Sequence, residues 1–188
     1  DAGSDATALK TLALQSKEFP GHFLINGTKR YITNAPIADL FTVFARTNPS
    51  DLSHKGISAF LISKDVPGIS VGSEHKKMGQ AGSPVSEVFL KDVPASSDDV
   101  IGGELGMGFA TAMKALNKQR INLAALCIGP AIRMLDEALV HVKKRQQFGR
   151  PIAEFQLIQA MLAECKVEIE AAKSLVLETA RARDRGED

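Results

Sequence analysis

Apolar residues recur at three- and four-residue steps through the second half of this chain. One stripe, in residues 121–147, consists of Ile121, Ala124, Ala125, Ile128, Ala131, Ile132, Leu135, Ala138, Leu139 and Val142. A second stripe follows in residues 155–183. This spacing places apolar side chains on one face of a helix, so it predicts two long amphipathic helices. A short helix over 109–117 is predicted before them.

The first half of the chain shows the patterns of extended strands. Runs rich in β-branched and aromatic residues, bounded by turn residues, predict strands at 40–45, 57–63 and 85–90. Residues 8–16 are a further strand candidate, although their Ala and Leu content leaves a helix open. Within residues 23–33, the pair Asn26-Gly27 predicts a tight β-hairpin, because this dipeptide favours the turn that joins two strands.

These elements predict an α+β protein with two domains. Residues 1–101 are expected to form a small antiparallel β-barrel. Residues 102–188 are expected to form long antiparallel helices of an incomplete four-helix-bundle-type domain, with Gly149 and Pro151 ending the first long helix. Two helices cannot close a bundle, so another element or another subunit must cover the remaining apolar surface.

Composition and charge exclude several classes of protein. Among the 188 residues, 44% are hydrophobic and 24% are charged, which argues against disorder. The net charge of +1 provides no general attraction for nucleic acid. No apolar run approaches the roughly 20 residues that a membrane-spanning helix needs, so we expect no membrane insertion.

The two cysteines and the start of the chain bear on its compartment. Cys127 and Cys165 fall inside helical apolar stripes and lack metal-ligand spacing, so they predict small core residues in a reducing compartment. No metal site is expected. The chain opens without Met, and we expect it to be a piece of a longer protein of the cytoplasm, or of the mitochondrial matrix in a eukaryote.

No complete catalytic constellation is evident, and no catalytic residue is predicted within this chain. The four His residues lack partners at ligand spacing, and no pair of carboxylates indicates an acid and a base. The cations at residues 143–145 lie where the negative end of a helix dipole stabilises positive charge. This stabilisation explains them without a binding role. Arg120 lies beside Asn117 and Gln119, and there a structural contact and a binding role both stay open.

Six segments of the chain occur in the order and at the spacing typical of one enzyme family. They are DAGSD (1–5), NGTKRYITNA (26–35), KGISAFLISKDVPGISVG (55–72), KMG (77–79), RINLAALCIGPA (120–131) and RQQFGRPIAEFQ (145–156). In these segments the chain resembles the acyl-CoA dehydrogenase family, over its middle β-barrel domain and the first helices of its C-terminal domain. The resemblance implies a flavoenzyme that uses FAD to oxidise an acyl-CoA thioester to trans-2-enoyl-CoA. In that reaction a carboxylate removes the α-proton while a β-hydride passes to flavin N5.

The resemblance assigns one set of residues to the flavin. Gly3 and Ser4 match the end of a loop that links flavin and acyl-CoA. Tyr31, Ile32 and Thr33 match a segment whose aromatic ring lies against the flavin and whose Thr reaches N5. This chain has Tyr where the family has Trp, so the ring is smaller but is still flat and amphipathic.

A second set matches residues that reach the FAD of a neighbouring subunit. Arg145, Gln147 and Phe148 form this motif, in which Arg offers a fork for the pyrophosphate and Phe an apolar face for adenosine. Phe155 and Gln156 match the next FAD contact, although the family often has His in place of Phe155. A cofactor held between subunits implies a homo-oligomer, and the resemblance implies a homotetramer.

The substrate side of the resemblance is incomplete. Ser4, Asn117 and Arg120 match acyl-CoA contacts, with Asn117 replacing a common Asp. Gln119 occupies the position where one branch of the family has its catalytic Glu, and an amide cannot accept a proton at neutral pH. The resemblance therefore implies a catalytic base at a later position, beyond Asp188.

The favoured function is thus an acyl-CoA dehydrogenase that passes electrons to an electron-transfer flavoprotein. Two alternatives stay open. One is an acyl-CoA oxidase, in which the reduced flavin reacts with oxygen. The other is a non-catalytic relative that keeps the scaffold as a binding or assembly protein, for which Gln119 and Tyr31 leave room.

Overall fold

In the computed structural model, which describes residues 2–187, the chain forms two compact units. One comprises the residues up to Lys114 and the other those from Ala115 onward. The first unit is built on six strands, which are β1 (Leu12–Gln15), β2 (His22–Thr33), β3 (Leu40–Arg46), β4 (Ile57–Ser63), β5 (Ile69–Val71) and β6 (Val85–Ser96). Single 3-10 turns lie at Ala6–Ala8, Ala35–Ile37, His54–Gly56, Ser97–Asp99 and, in the second unit, Ile152–Glu154.

The six strands form one sheet in the order β4-β3-β1-β2-β6-β5. Neighbouring strands are antiparallel except β1 and β3, which are parallel and meet at Leu12 and Arg46. The predicted α+β class is confirmed, but the prediction of a purely antiparallel sheet is wrong at this pair. Strand β1 lies between β2 and β3, which run in opposite directions, so it can be antiparallel to only one of them.

The core of the sheet unit follows the two-residue period of its strands. Alternate side chains point to the same face of a strand, and burial alternates in this way over parts of β2, β3 and β6. The buried cluster consists of Ala13, Phe23, Ile25, Ala35, Phe41, Val43, Ala45, Phe60, Ile62, Val88, Leu90, Val93, Ala95 and Val100. The unit therefore encloses a hydrophobic core made from its own residues.

The Asn26-Gly27 pair does not form the predicted hairpin, because β2 runs straight through it. The side-chain amide of Asn26 donates to Asp92 Oδ1 at 2.9 Å, and its oxygen accepts from the Asp92 N–H at 2.9 Å. These bonds span a register shift between β2 and β6. A Cβ at Gly27 would lie 2.7 Å from Thr11 Oγ1, so the glycine permits a close strand approach and not a turn.

The helical part contains one long helix where a short and a long helix were predicted. Helix α1 (Gly108–Lys144) continues through Asn117 and contains Pro130. It ends before Gly149 and Pro151, the residues predicted to stop it. Two short strands follow, β7 (Gln146–Gln147) and β8 (Arg150–Pro151), and then α2 (Gln156–Asp184).

The helices of the second unit run antiparallel, as predicted. Ile121, early in α1, lines a cavity together with Leu175, late in α2. Leu135 and Leu162 line another cavity between the middle of α1 and the first half of α2. The least exposed residues of α1 in this unit are Ile121, Ala124, Ile128, Ala131, Leu135, Ala138, Leu139 and Val142, which repeat most of the predicted stripe.

Other apolar residues of these helices remain exposed. Cys127 and Cys165 are free and exposed, so the prediction that they are core residues is wrong for this unit. Two helices bury only a narrow strip of each other's surface, and Cys165 remains exposed although it lines the cavity between α1 and α2. Among residues 2–187, no helix combines the length and the apolarity that a membrane span requires.

Candidate functional site

Tyr31 lies on a bulge of the sheet. The β2–β6 ladder pairs Lys29 with Val88 and then Ile32 with Ser86, so two residues of β2 face one residue of β6. Tyr31 has a φ of 56°, in the left-handed region that bulky residues rarely adopt, and its side chain is 68% exposed. Bulges of this kind redirect side chains and concentrate next to functional sites.

The bulge borders an open depression of about 710 Å³ in the sheet unit. The depression is lined by Ala2, Gly3, Leu9, Lys10, Thr11, Gly27, Thr28, Lys29, Arg30, Tyr31 and Ile32. Three of the residues assigned to the flavin, Gly3, Tyr31 and Ile32, therefore meet in one place. Ser4 and Thr33 are exposed neighbours of these residues and do not line the depression.

The Tyr31 ring has two polar neighbours. The His75 ring lies 5.5 Å away between ring centres, at 43°, and the Arg30 guanidinium lies 5.4 Å from the Tyr31 ring centre. Arg30 Nε also pairs with Glu87 Oε1 at 2.8 Å. His75 Nε2 is buried and has no hydrogen-bond partner within residues 2–187. This surrounding places both a cation and an imidazole beside the exposed phenol ring.

Lys29 contributes a partly buried cation to the same depression. Its Nζ donates a hydrogen bond to the Phe44 carbonyl oxygen at 2.6 Å. Burial lowers the pKa of the Lys29 amine to about 8, because desolvation disfavours the charged form. Sequence reasoning missed Lys29, Arg30 and His75. Two adjacent cations just before the matched Tyr31 were the available signal.

A second predicted group lies at a small hairpin of the helical unit. Phe148 and Gly149 connect β7 to β8, and their φ values of 53° and 78° are those of a type I′ turn. Phe148 is 93% exposed at the tip of this turn. Its ring meets the Phe155 ring edge-to-face at 6.1 Å, and the Arg150 guanidinium lies 4.3 Å from the Phe155 ring centre. The hairpin thus presents an apolar ring supported by an aromatic and a cation.

The polar residues of this group are exposed beside the hairpin. Arg145 follows the end of α1, and its carbonyl oxygen accepts the Ile152 N–H at 2.8 Å, which closes the base of the hairpin. Gln147 donates from its side chain to the Gln146 carbonyl at 2.8 Å. Gln156 is the first residue of α2 and is exposed. A guanidinium and two amide side chains beside the Phe148 ring can bind an anionic group next to an apolar one.

Asn117 and Arg120 lie together near the start of the helical unit. Arg120 donates to Asn117 Oδ1 at 2.9 Å, one helical turn apart. Asn117 also lines a cavity of about 620 Å³ between α1 and α2, whereas Arg120 does not. The structure therefore gives Arg120 a polar partner on its own helix, where the sequence left a structural contact and a binding role open.

Comparison with known proteins gives one consistent family. A domain model described as "Acyl-CoA dehydrogenase, middle domain" matches residues 1–93. A second, described as "Acyl-CoA dehydrogenase, C-terminal domain", matches residues 106–188. Together these matches cover both structural units of the chain.

Individual proteins resemble the chain over nearly its whole length. The 3-(aryl)acrylate reductase of Clostridium sporogenes is 43% identical over 186 residues, which are 99% of this chain and 48% of that protein. The structure of butyryl-CoA dehydrogenase from Megasphaera elsdenii covers 100% of this chain and 48% of its own, with 37% identity and a TM-score of 0.91. The structure of PigA with FAD and proline has the same coverage, 36% identity and a TM-score of 0.92. The chain thus spans about half the length of the relatives it matches.

Proposed function

The chain belongs to the acyl-CoA dehydrogenase family, and on this premise we propose that the whole protein is an FAD-dependent enzyme that oxidises an acyl-CoA thioester to trans-2-enoyl-CoA. The observation that supports it most is the Tyr31 bulge at the depression shared with Gly3 and Ile32. Strained, exposed aromatic residues beside a cavity are typical of ligand sites.

The residues at the depression fit an isoalloxazine ring. Tyr31 offers a flat exposed surface for stacking. Thr33 lies outside the depression but is the second residue after Tyr31 and exposed, and it offers a hydroxyl as a hydrogen-bond donor. Gly3 has no atoms within 4 Å of where a Cβ would lie, so the backbone there is open to a ligand. FAD, when bound, supplies the acceptor for the β-hydride.

We assign the other end of the cofactor to the hairpin of a second copy of the protein. Arg145 would pair with the pyrophosphate, Phe148 would lie against the adenosine, and Gln147, Phe155 and Gln156 would complete the contact. The exposure of the Phe148 ring supports this assignment, because burying an exposed apolar ring under a ligand is favourable. Cofactor sharing of this kind requires an oligomer, which we propose is a homotetramer.

On the substrate side, Ser4, Asn117 and Arg120 are proposed to contact the acyl-CoA. Arg120 already has its guanidinium held by Asn117, which orients it for a carbonyl or phosphate oxygen. Gln119 is exposed on α1 and cannot act as a base, because its amide does not accept a proton at neutral pH. We therefore propose that a carboxylate from another part of the whole protein removes the α-proton.

The electron acceptor and the compartment extend this proposal. An electron-transfer flavoprotein is the proposed acceptor, with oxygen as the alternative that an oxidase would use. The proposed compartment is the cytoplasm, or the mitochondrial matrix in a eukaryote.

The first test is the visible spectrum of the full-length protein. We expect flavin absorption bands that bleach when an acyl-CoA is added without oxygen. A colourless protein that also fails to take up added FAD would contradict the proposal. Readmitting air after reduction separates an oxidase, which reoxidises at once, from a dehydrogenase, which needs the flavoprotein acceptor.

Mixing subunits tests the sharing of FAD between copies. Variants Tyr31→Ala and Phe148→Ala are each expected to lose FAD binding. When the two are refolded together, some sites pair an intact Tyr31 with an intact Phe148, so part of the binding should return. The matched control mixes the wild type with a chain that has both substitutions. Every site shared between unlike copies then has one defect, so only sites formed by two wild-type copies should bind FAD. No recovery in the first mixture would place both residues at one copy's own site.

The C. sporogenes relative favours a second candidate, reduction of an acrylate double bond, since its name is 3-(aryl)acrylate reductase. The same site would then work in the reverse direction on a different acyl group. Chemically reduced full-length protein distinguishes the two. Rapid reoxidation by an aryl acrylate, together with no bleaching by acyl-CoA, would favour the reductase.

A further inference from the structure

The side chain of Lys29 forms a hydrogen bond across the sheet that has no role in the proposed function. Its amine donates to the carbonyl oxygen of Phe44 at 2.6 Å, and Phe44 lies on β3. In the sheet order, β1 lies between β2 and β3. The Lys29 side chain therefore crosses the place that β1 would fill if that strand were longer.

The gap exists because β1 is short. Leu12, its first residue, is opposite Asn26 on β2 and Arg46 on β3. Continued pairing would place residues 9–10 beside Lys29 and Phe44, but these residues are not in a strand. At this level of the sheet, β2 and β3 have no strand between them. Lys29 and the segment that precedes β1 line the open depression.

The Phe44 carbonyl points into this gap. Arg46, two residues further along β3, donates its backbone N–H to the Thr11 carbonyl at 2.8 Å, on the β1 side. Backbone groups two residues apart in a strand point the same way, so the Phe44 oxygen faces the β1 side as well. A buried carbonyl without a partner would cost free energy, and Lys29 supplies the partner that a longer β1 would have given.

Lys29 is also the last paired residue of β2 before the bulge. It pairs with Val88, and the ladder resumes only at Ile32. We propose that Lys29 is the positioning residue for Tyr31: its amine ties β2 to β3 immediately before the bulge and so keeps the Tyr31 ring presented to the depression. The consequence for FAD rests on the proposed function, whereas the consequence for Tyr31 does not.

The other polar contact at the bulge is weaker. The Arg30–Glu87 pair has an Arg30 side chain that is mostly exposed, and exposed ion pairs contribute little to rigidity. The Lys29 bond is partly buried, so water competes less for it. With a pKa of about 8 the amine keeps its proton at neutral pH, and the bond to Phe44 is then charge-assisted. Lys10 and Arg30 are the other cationic residues that line the depression, and Glu87 pairs with Arg30.

The test uses full-length protein with Lys29→Met, which removes the donor, and Lys29→Arg, which keeps one. Lys91→Met is the matched control, because Lys91 is exposed on β6 and does not line the depression. Protein labelled with ¹³C in its tyrosine rings reports the position of Tyr31 by NMR, and Tyr31→Phe assigns the signal. This measurement needs no flavin. FAD affinity, measured well below the unfolding temperature, is the second readout.

We expect Lys29→Met to move the Tyr31 signal and to weaken FAD binding about tenfold, the effect of losing one buried charge-assisted bond. Lys29→Arg should restore most of both, and Lys91→Met should match the wild type. An unchanged Tyr31 signal and FAD affinity in Lys29→Met would overturn the inference, even if its Tm falls, because the role would then be one of stability alone.

The experiment distinguishes failure of the proposed function from failure of the proposed role of Lys29. If the wild-type protein binds no FAD, the proposed function fails, and the Tyr31 signal still decides the role of Lys29. If Lys29→Met does not fold, Lys29→Gln replaces it, since its amide nitrogen lies one bond closer to the backbone and does not reach the Phe44 oxygen. The same shift of the Tyr31 signal is expected, and its absence would overturn the inference.

Discussion

The sheet unit and the helical unit treat their apolar residues in opposite ways. Every member of the buried cluster, from Ala13 to Val100, lies in the sheet unit. Among the described residues from Ala115 onward, Val142 is the one buried hydrophobic residue, with 8% exposure. Large apolar side chains of the helices remain exposed, among them Leu123, Leu126 and Leu175.

Geometry explains the difference. In six strands with a two-residue period, many apolar side chains lie on the same face of the sheet. The residues of the sheet unit bury that face among themselves. A pair of helices buries only one strip on each helix, so the remaining apolar surface needs another element. An exposed apolar surface of this extent marks an interaction surface. We therefore expect the sheet unit to depend on its own core and the helical unit to depend on contacts outside it.

Phe60→Ala should have the largest effect on the free energy of unfolding. Phe60 is fully buried in the sheet core, and loss of such a side chain costs about 3–5 kcal/mol. Urea denaturation of the full-length protein measures it. Phe19→Ala is the matched control, because Phe19 is exposed in the same unit and should change stability by less than about 0.5 kcal/mol. Similar losses for the two variants would mean that the sheet core is not the source of stability.

The next largest effect is the dependence of stability on pH that Lys29 produces. Its pKa is lowered from 10.5 to about 8 in the folded chain. Between these values the unfolded chain binds the proton and the folded chain does not, so the free energy of unfolding rises as pH increases from about 8 to 10.5. The full shift corresponds to at most about 3 kcal/mol.

The difference between wild type and Lys29→Met isolates this contribution, because other groups titrate in both proteins. Urea midpoints across that pH window provide the measurement. A difference between the two proteins that stays constant with pH would show that the Lys29 amine is not desolvated.

In the helical unit, Val142→Ala should cost about 1–2 kcal/mol, since the side chain is buried and leaves a small cavity. Val167→Ala is the matched variant on a face that is exposed within this chain, and its effect should stay below about 0.5 kcal/mol where no other part of the whole protein covers that face. Denaturation of both variants sharpens the comparison of the two units. An equally large loss for Val167→Ala would show that, in the whole protein, another surface covers this face.

The smallest effect is expected at the ion pair on α1 between Arg133 Nη2 and Glu137 Oε1, which are 2.5 Å apart. Both side chains are mostly exposed, so a double-mutant cycle with Arg133→Ala and Glu137→Ala should give a coupling energy of about 0.3–0.5 kcal/mol. The coupling should shrink as salt is added. A coupling several times larger would indicate that this helical surface is not open to solvent.

Two dipeptides show where local sequence rules succeed and fail. Asn26-Gly27 has the strongest hairpin signal in the chain, yet it lies inside β2, because Asp92 and Thr11 occupy the space around it. The two-residue hairpin forms instead at Phe148-Gly149, where a bulky residue occupies a left-handed conformation. Turn propensity gives an intrinsic preference of a short segment, and contacts with distant strands override it.

The sequence predicted the part of the candidate site that lies in segments resembling the acyl-CoA dehydrogenase family. Gly3, Tyr31 and Ile32 were named from the sequence, and the structure brings them to one depression. Lys29 and His75 were not named. Their relevance comes from contacts with Phe44 and Tyr31, which are separated from them in the chain.

Periodicity was sufficient to indicate the α+β class and the apolar stripe of α1, because both depend on side-chain spacing within one segment. The short connection between the two long helices indicated that they run antiparallel. The insertion of β1 between β2 and β3, the bulge at Tyr31 and the bond from Lys29 to β3 came only from the folded chain. These features join residues that are far apart in sequence, and no local pattern encodes which distant strand stops short and which side chain fills the space that it leaves.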